Sequence, residues 1–211
     1  MSPAAPDSHG SVPSSVAGPA RLCIMLSGAG RTMLNLHRAI GSGQLPAVIA
    51  KVIASGMCPG VEHARSLGIE TAILPGTLTA DVLAEQVRSA SIDFVVLAGY
   101  LKKVPVVPGY ETRIVNIHPA LLPEFGGKGM YGLRVHEAVI AAGRLISGCT
   151  IHLCDGDFDT GEILLQRECP VLPADSAAGL AARVFEQECV AYPQALAKLI
   201  AQQGALRSPG T

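Results

Sequence analysis

Two polar side chains interrupt an apolar run near the middle of the chain, and their types suit catalysis. Asn116 and His118 stand two residues apart in Ile114–His118, whose other members are β-branched. At strand spacing both side chains point to the same face of a sheet, and Pro119 predicts the strand's end because proline cannot donate to a sheet ladder. An amide and an imidazole that titrates near neutrality are thus placed together where open α/β sheets bind ligands. A buried pair that satisfies only itself is the alternative.

A glycine-containing loop follows the first predicted strand, Leu22–Leu26. The loop Ser27–Thr32 contains Gly28 and Gly30, and a helical pattern continues from Met33. Strand, glycine loop and helix in this order direct backbone N–H groups at a phosphate. The match to a dinucleotide-binding fingerprint is incomplete, because Met33 replaces the third glycine and no Walker lysine follows. A tight turn without a ligand is the alternative to a phosphate site.

Three carboxylates fall within the short segment Asp155–Gly161. A solvated turn is the usual explanation of such a run, and a cation site is the alternative, although the EF-hand spacing is absent. His152 and Cys154 form a conceivable half of a zinc site, but no second ligand pair has the usual spacing. We therefore predict no metal.

The elements that must position these groups alternate between strand and helix. This alternation implies a parallel sheet with right-handed crossovers. A helix at Leu133–Ala142 follows, then an antiparallel edge strand at Ser147–Cys154 that forms a hairpin with Ile163–Pro170. A last helix spans Ala177–Gln203, which Pro193 is expected to kink or divide. The strands predicted for the parallel half are Leu22–Leu26, Ala47–Ala54, Glu70–Leu74, Phe94–Ala98 and Ile114–His118, with intervening helices after Thr32, at Val61–Leu67 and at Thr79–Ala90.

The sequence thus predicts a single-domain α/β protein with an open, mostly parallel twisted sheet and a C-terminal antiparallel hairpin and helix. We expect a disordered extension at 1–20, the folded domain at 21–203 and a flexible tail at 204–211. The extension lacks Lys and Arg and has no apolar core, which argues against a secretory signal or a transit peptide.

Composition excludes several partners and favours one compartment. A net charge of -1 gives no footprint for nucleic acid or an anionic membrane, and no apolar run reaches the ~18 residues that span a bilayer. The six cysteines contain no C-x-x-C pair, so we expect free thiols in a reducing cytoplasm rather than a disulfide framework.

Three segments in order resemble the folate-dependent formyltransferases: Ser27-Gly-x-Gly30, Asn116-Ile-His-Pro-x-Leu-Leu-Pro123 and Asp157-Phe-Asp-Thr-Gly161. The resemblance covers nearly the whole predicted domain. It implies the family's Rossmann-like fold and transfer of a formyl group from 10-formyltetrahydrofolate, a co-substrate, to the amine of 5-phosphoribosylglycinamide in de novo purine biosynthesis. It implies no metal, and it leaves a homodimer open beside a monomer.

The resemblance assigns roles to three residues. Asn116 would donate a hydrogen bond to the oxyanion formed at the formyl carbon. His118 would supply a second, charge-assisted bond or shuttle the proton. Asp159 matches the family's acidic partner, which stabilises the imidazolium and relays protons through water, so the solvated turn becomes a catalytic one.

Substrate positions also carry over from the family. Two of them differ from the family's usual residues, since Arg31-Thr32 replaces Ser-Asn and Lys102 replaces Arg; Glu162 stands where proline is frequent. The expected ribonucleotide-binding residues are Gly28, Ala29, Gly30, Arg31, Thr32 and Glu188. The expected folate-binding residues are Leu101, Lys102, Lys103, Val104, Cys154, Asp155, Gly156 and Asp157.

Helical periodicity singles out Glu188 independently of the resemblance. At 100° per residue it falls inside the apolar stripe of Ala177, Leu180, Val184 and Ala191. A carboxylate facing the protein body must be paired, protonated or directed into a polar cavity. A salt bridge to Arg183 is the structural alternative to the ribonucleotide contact that the resemblance implies.

Other functions of related proteins fit the sequence less well. A tRNA-acting formyltransferase would add a basic C-terminal domain, and a formyltetrahydrofolate hydrolase would add an N-terminal regulatory one. A formyltransferase acting on an amino-sugar nucleotide is the enzymatic alternative. A non-catalytic folate- or nucleotide-binding module is the alternative from another class, which the intact Asn116, His118 and Asp159 argue against.

Overall fold

The structure is a computed structural model that describes residues 18–204. The predicted extension and tail therefore lie outside the described residues, apart from positions 18–20 and 204. In chain order the elements are β1 (Ala20–Leu26), α1 (Arg31–Gly41), β2 (Ala47–Ala54), α2 (Pro59–Ser66), β3 (Thr71–Ile73), α3 (Ala80–Ser89), β4 (Phe94–Leu97), β5 (Ile114–His118), α4 (Leu133–Ala141), β6 (Ile146–Leu153), β7 (Ile163–Pro170) and α5 (Ala177–Gln203).

The strands form one seven-stranded sheet in the order β3-β2-β1-β4-β5-β6-β7. Strands β1 to β5 pair in parallel, whereas β6 and β7 are antiparallel to their neighbours. The predicted α/β class, with a mostly parallel sheet and a C-terminal hairpin, is confirmed. The order reverses between β1 and β4, which is where open sheets of this type form a ligand crevice.

The prediction that Ser147–Cys154 is an edge strand is wrong. Strand β6 lies between β5 and β7, and β7 forms the edge. Three polar residues of β6, Ser147, Thr150 and His152, are nevertheless buried. Thr150 and His152 alternate with apolar residues, which is also the pattern of a half-exposed edge strand.

Both faces of the sheet are covered. In β1, Leu22 and Ile24 join an apolar cluster that includes residues of α1, α2, α4 and α5, whereas Cys23 and Met25 join the cluster on the side of α3. Successive residues alternate between the two faces, and both sets are buried, as expected for parallel strands covered on each side.

Helix α5 is continuous from Ala177 to Gln203, so Pro193 does not divide it. The neighbouring Tyr192 is fully buried, and its hydroxyl hydrogen-bonds to the carbonyl oxygens of Leu97 and Val115, each at 3.0 Å. These bonds tie α5 to β4 and β5. Glu188 precedes Tyr192 by one helical turn, so the same anchor fixes its position beside the sheet.

Within residues 18–204, no helix has an apolar stretch long enough to cross a membrane. All six cysteines are free thiols.

Candidate active site

Strand β5 brings Asn116 and His118 against the acidic turn that follows β6. The Nδ2 atom of Asn116 donates to Oδ1 of Asp159 over 3.3 Å, and Nδ1 of His118 lies 3.4 Å from Oδ2 of Asp159. The backbone N–H of Gly127 also donates to Oδ2, at 2.9 Å. Two of the residues predicted to be catalytic, Asn116 and His118, thus both contact the third, Asp159.

A second imidazole, His152, completes this cluster. Strand register places His152 opposite Asn116, and its Nε2 atom lies 3.1 Å from Asn116 Nδ2 and 3.4 Å from Asp159 Oδ1. Its Nδ1 atom donates to the carbonyl oxygen of Leu153 at 2.8 Å, so Nε2 is the ring nitrogen that faces Asn116 and Asp159. Sequence reasoning considered His152 only as a zinc ligand, because the neighbour of β5 was not known.

His118 is 3% exposed and both of its ring nitrogens face acceptors. Its Nε2 atom donates to the carbonyl oxygen of Phe125 at 2.8 Å, and its Nδ1 atom faces Asp159. Burial lowers the pKa of His118 and outweighs the Asp159 carboxylate and the Phe125 carbonyl, which raise it. The free site therefore favours a neutral His118 ring. The Asp159 carboxylate and the Phe125 carbonyl would both stabilise the ring once it is protonated.

Asp159 keeps its charge in spite of its burial. Desolvation raises the pKa of Asp159, but the hydrogen bond with His152, the charge of His118 and the N–H of Gly127 together lower it below the ordinary value. The carboxylate is thus a stable negative charge within reach of two imidazoles. It can stabilise the positive charge of an imidazolium at either position.

The turn that carries Asp159 is tightly constrained. Asp159 adopts a positive φ of 59°, a conformation that aspartate tolerates better than most residues. A Cβ atom at Gly161 would overlap the carbonyl oxygen of Leu153, so the glycine of the sequence motif is a steric requirement. The carboxylate of Asp155 accepts from the hydroxyl of Thr160 at 2.8 Å and from the N–H of Asp157 at 3.1 Å, which holds the turn from within.

A cavity of about 720 Å³ opens beside this cluster, a size that suits small-molecule ligands. It is lined by Asn116, His118 and Asp159, and by the two predicted binding regions on either side. From the ribonucleotide set it includes Arg31, Thr32 and Glu188, and from the folate set Leu101, Lys102, Lys103, Val104, Cys154, Gly156 and Asp157. The predicted residues Gly28, Ala29, Gly30 and Asp155 do not line it. His152, His136 and Phe185 line it and were not predicted as binding residues.

The glycine loop leads into α1 at one end of the cavity. Gly30 has a φ of +73°, and a Cβ atom there would lie 2.8 Å from the Cα of Gly60 at the start of α2. Only glycine satisfies both constraints. The loop therefore sets the position of the α1 N-terminus, where Arg31 stacks on the ring of Phe185 with 4.2 Å between its Cζ and the ring centroid.

Glu188 faces the cavity from α5. Burial raises the pKa of Glu188 to about 7, and the positive charge of Arg31 opposes the shift. The alternative salt bridge is wrong, because Arg183 pairs with Asp175 at 2.6 Å. Glu188 has neither a salt bridge nor a hydrogen bond within residues 18–204, so its carboxyl group is available to a ligand.

Two lysines on the opposite wall of the cavity make different kinds of contact. The ammonium of Lys102 donates to the carbonyl oxygens of Ser55 at 3.3 Å and Gly76 at 2.8 Å, which fixes the segment after β4 to the loops after β2 and β3. Lys103 reaches Asp157 across the cavity rim at 3.3 Å, and both side chains are exposed. Such a surface pair contributes little stability, so the rim can open for a ligand.

No group of three or more His, Cys, Asp or Glu in the described part of the chain is arranged to hold a metal ion. The cluster at Asp159 is instead a hydrogen-bonded set of amide, imidazole and carboxylate groups. Groups of these types can transfer protons and stabilise a negative oxygen.

Known proteins match both the sequence and the fold. The formyl transferase family profile matches residues 20–196. A phosphoribosylglycinamide formyltransferase of Haemophilus influenzae is 31% identical over 182 residues, which cover 82% of this chain and 84% of the relative. A chloroplastic phosphoribosylglycinamide formyltransferase of Vigna unguiculata is 40% identical over 199 residues, or 90% of this chain, but the chain spans only 64% of that relative's length.

The solved structure of phosphoribosylglycinamide formyltransferase from Bacillus halodurans has a TM-score of 0.79 at 33% identity. The match covers 89% of this chain and 100% of that one. The family profile spans most of the chain, and the solved structure has the same fold. The chain belongs to the formyl transferase family.

Proposed function

We propose that the protein transfers a formyl group from 10-formyltetrahydrofolate to the amine of 5-phosphoribosylglycinamide, as a step of de novo purine biosynthesis. The observation that carries the proposal is the convergence of Asn116, His118 and Asp159 on one cavity. The names of the similar proteins support formyl transfer to phosphoribosylglycinamide.

The two ends of the cavity differ in a way that suits the two substrates. At one end the N-terminus of α1 and Arg31 provide positive charge for the phosphate, and Glu188 provides an acceptor for ribose hydroxyl groups. At the other end Leu101 and Val104 offer apolar contacts for the pterin ring, and the Cys154–Asp157 segment forms the facing wall. The formyl carbon then lies between the ends, beside His118.

The reaction needs stabilisation of one oxygen. The amine lone pair attacks the formyl carbon, and the carbonyl π electrons move to oxygen. In the free site the N–H groups of Asn116 and His118 are bound by Asp159, His152 and Phe125. A developing oxyanion is a stronger acceptor than the neutral carbonyl of Phe125, so these donors turn to it as charge develops. Loss of one such donor typically costs about 3 kcal/mol of transition-state stabilisation.

Proton transfer completes the reaction. The amine loses a proton after attack, the carbonyl reforms, and the bond to the folate nitrogen breaks as that nitrogen gains a proton. His118 takes up the proton transiently because the growing negative charge raises its affinity for protons, and Asp159 stabilises the imidazolium. Asp159 also orders the water that carries the proton to the folate nitrogen.

The proposed setting is the cytoplasm, where the six free thiols stay reduced. The plant relatives are named as chloroplastic enzymes, so a stromal location is the alternative. The proposed partners are the two small molecules, without nucleic acid, a membrane or a metal, and we leave a homodimer open.

The test is a formyl-transfer assay with the purified full chain. Tetrahydrofolate release is followed with 10-formyltetrahydrofolate and 5-phosphoribosylglycinamide, and in parallel with an amino-sugar nucleotide as acceptor. We expect rapid release only with the glycinamide acceptor. Turnover with the sugar nucleotide alone would replace the proposed substrate. Ligand binding without turnover on either acceptor would identify a non-catalytic binding module.

A further inference from the structure

His136 is a polar side chain buried in the cavity wall, and it has no hydrogen-bond partner among residues 18–204. It lies on α4, where it is 4% exposed and shares the buried face with Val135 and Val139. Its Nδ1 atom is fully enclosed, and no donor or acceptor in residues 18–204 reaches it. A buried polar atom left without a hydrogen bond is costly, so this imidazole does not stabilise the free protein.

The position of His136 relates it to the reacting atoms. Its side chain lines the same cavity as His118 and Glu188, and α4 packs against α5, which carries Glu188. Burial lowers the pKa of His136, and the charge of the nearby His118 lowers it further. The ring therefore stays neutral when His118 takes up a proton, and both imidazoles line the same cavity.

The neutral ring is best protonated on the nitrogen that faces the cavity. A buried N–H without an acceptor is rarer in proteins than an acceptor without a donor. The enclosed Nδ1 therefore carries the lone pair, and Nε2, which has no hydrogen-bond partner in the described part of the chain, carries the hydrogen. His136 thus presents an uncommitted N–H to the cavity, whereas both nitrogens of His118 and of His152 already have partners.

We propose that His136 is a further catalytic residue of the proposed formyl transfer, on which this inference rests: its Nε2–H donates a hydrogen bond to the formyl oxygen as that oxygen becomes an oxyanion. Unlike the donors of Asn116 and His118, this N–H does not have to leave a protein acceptor first. The bond strengthens as negative charge grows on the oxygen, so it stabilises the transition state more than the bound substrate.

The test compares His136→Phe, which keeps a planar ring without the N–H, with His136→Gln, which restores an N–H donor. We expect His136→Phe to lower kcat about a hundredfold, the usual effect of losing an oxyanion donor, with little change in the KM of either substrate. We expect the kcat of His136→Gln to be at least about tenfold higher than that of His136→Phe. The melting temperature of His136→Phe should equal or exceed that of the wild type, because an unsatisfied polar atom is removed.

His37 provides a matched control, since it lies on α1 outside the cavity, and His37→Phe should leave kcat unchanged. A raised KM for 5-phosphoribosylglycinamide with normal kcat would overturn the inference and make His136 a ground-state contact. Equal loss in the Phe and Gln variants together with lower melting temperatures would overturn it in favour of a packing role. If His136→Phe does not fold, His136→Leu replaces it in the same comparison with Gln. A wild type that does not formylate the glycinamide acceptor refutes the proposed function itself, and the role of His136 with it.

Discussion

The Nδ1 atom of His118 lies 3.4 Å from the Oδ2 atom of Asp159, although α4 and β6 separate the two residues in the chain. Strand β6 runs antiparallel to β5 and ends beside the start of β5, where Leu153 pairs with Val115. The turn that follows β6 then brings Asp159 back to the side chains of Asn116 and His118. One carboxylate thereby serves His118, His152 and Asn116 together. The buried polar groups form one network, in which the loss of any member leaves another unsatisfied.

Replacement of His118 tests its role in proton transfer. We expect His118→Ala to lower kcat at least about a hundredfold, the usual contribution of acid–base assistance, while the dissociation constant for 5-phosphoribosylglycinamide stays nearly unchanged. Steady-state kinetics and equilibrium titration measure the two quantities, and circular dichroism checks the fold. Near-normal turnover in a folded variant would exclude the proposed role.

Replacement of Asp159 tests its electrostatic effect on His118. The Asp159 carboxylate raises the pKa of His118, so Asp159→Asn should lower that pKa and move the limb of the kcat–pH profile that reports His118 to lower pH. The rate should also fall because the imidazolium loses its partner. Asparagine tolerates the positive φ at this position, so the turn should be retained.

Glu162 supplies the control for Asp159, since it is an exposed carboxylate three residues further along the chain. Glu162→Gln should leave the kcat–pH profile in place. An unshifted profile in Asp159→Asn as well would mean that the acidic turn is only a solvated one.

The parallel half of the fold was predictable because its strands are buried on both faces. Such strands are continuous β-branched and aliphatic runs, and β2 was predicted with the bounds that the structure has, Ala47–Ala54. The ends of these strands and the order of the motifs then located Asn116 and His118. Short-range pattern was sufficient here because the neighbouring strands follow each other through regular crossovers.

The antiparallel half was less predictable, because its pattern does not say which strand neighbours β5. The register that sets His152 opposite Asn116 depends on β6 lying inside the sheet. His136 carried a weaker signal, since it falls on the apolar face of a predicted helix beside Val135 and Val139. A histidine on such a face is as compatible with core packing as with a ligand site. Only the cavity seen in the structure distinguishes these two interpretations.

The glycine of the acidic motif gives a steric prediction. A Cβ atom at position 161 would overlap the carbonyl oxygen of Leu153 and lie 2.8 Å from its carbonyl carbon. Since these are backbone atoms, Gly161→Ala must displace the turn or the end of β6. We expect a loss of about 1–3 kcal/mol in the free energy of unfolding, together with a fall in kcat because Asp159 moves away from His118.

Thermal melting and the formyl-transfer assay measure both effects of Gly161→Ala. Gly41 is the matched control, because a Cβ atom there meets open space at the end of α1, and Gly41→Ala should keep activity and stability. A Gly161→Ala variant that matches the control in both would show that the turn adapts without moving Asp159.

The last prediction concerns the effect of Glu188 ionisation on the free energy of unfolding. Burial raises the pKa of Glu188 from 4.5 to about 7, so the folded state binds this proton more tightly than the unfolded chain does. The free energy of unfolding therefore falls as the pH rises above about 4.5, where Glu188 begins to ionise in the unfolded chain. The total fall is about 3 kcal/mol and is complete above pH 7. Glu188→Gln stays neutral, so it should match the wild type at pH 4 and be more stable than the wild type at pH 8.

The same substitution should weaken substrate binding, because a carboxylate accepts hydrogen bonds from ribose hydroxyls more strongly than an amide does. At pH 8 we expect a higher KM for 5-phosphoribosylglycinamide with nearly unchanged kcat. Glu186→Gln, an exposed change on the same helix outside the cavity, should alter neither quantity. A large loss of stability with an unaltered KM would instead identify Glu188 as a structural ion-pair partner. A gain in stability at pH 8 without a change in KM would mean that Glu188 is strained by burial but does not touch the substrate.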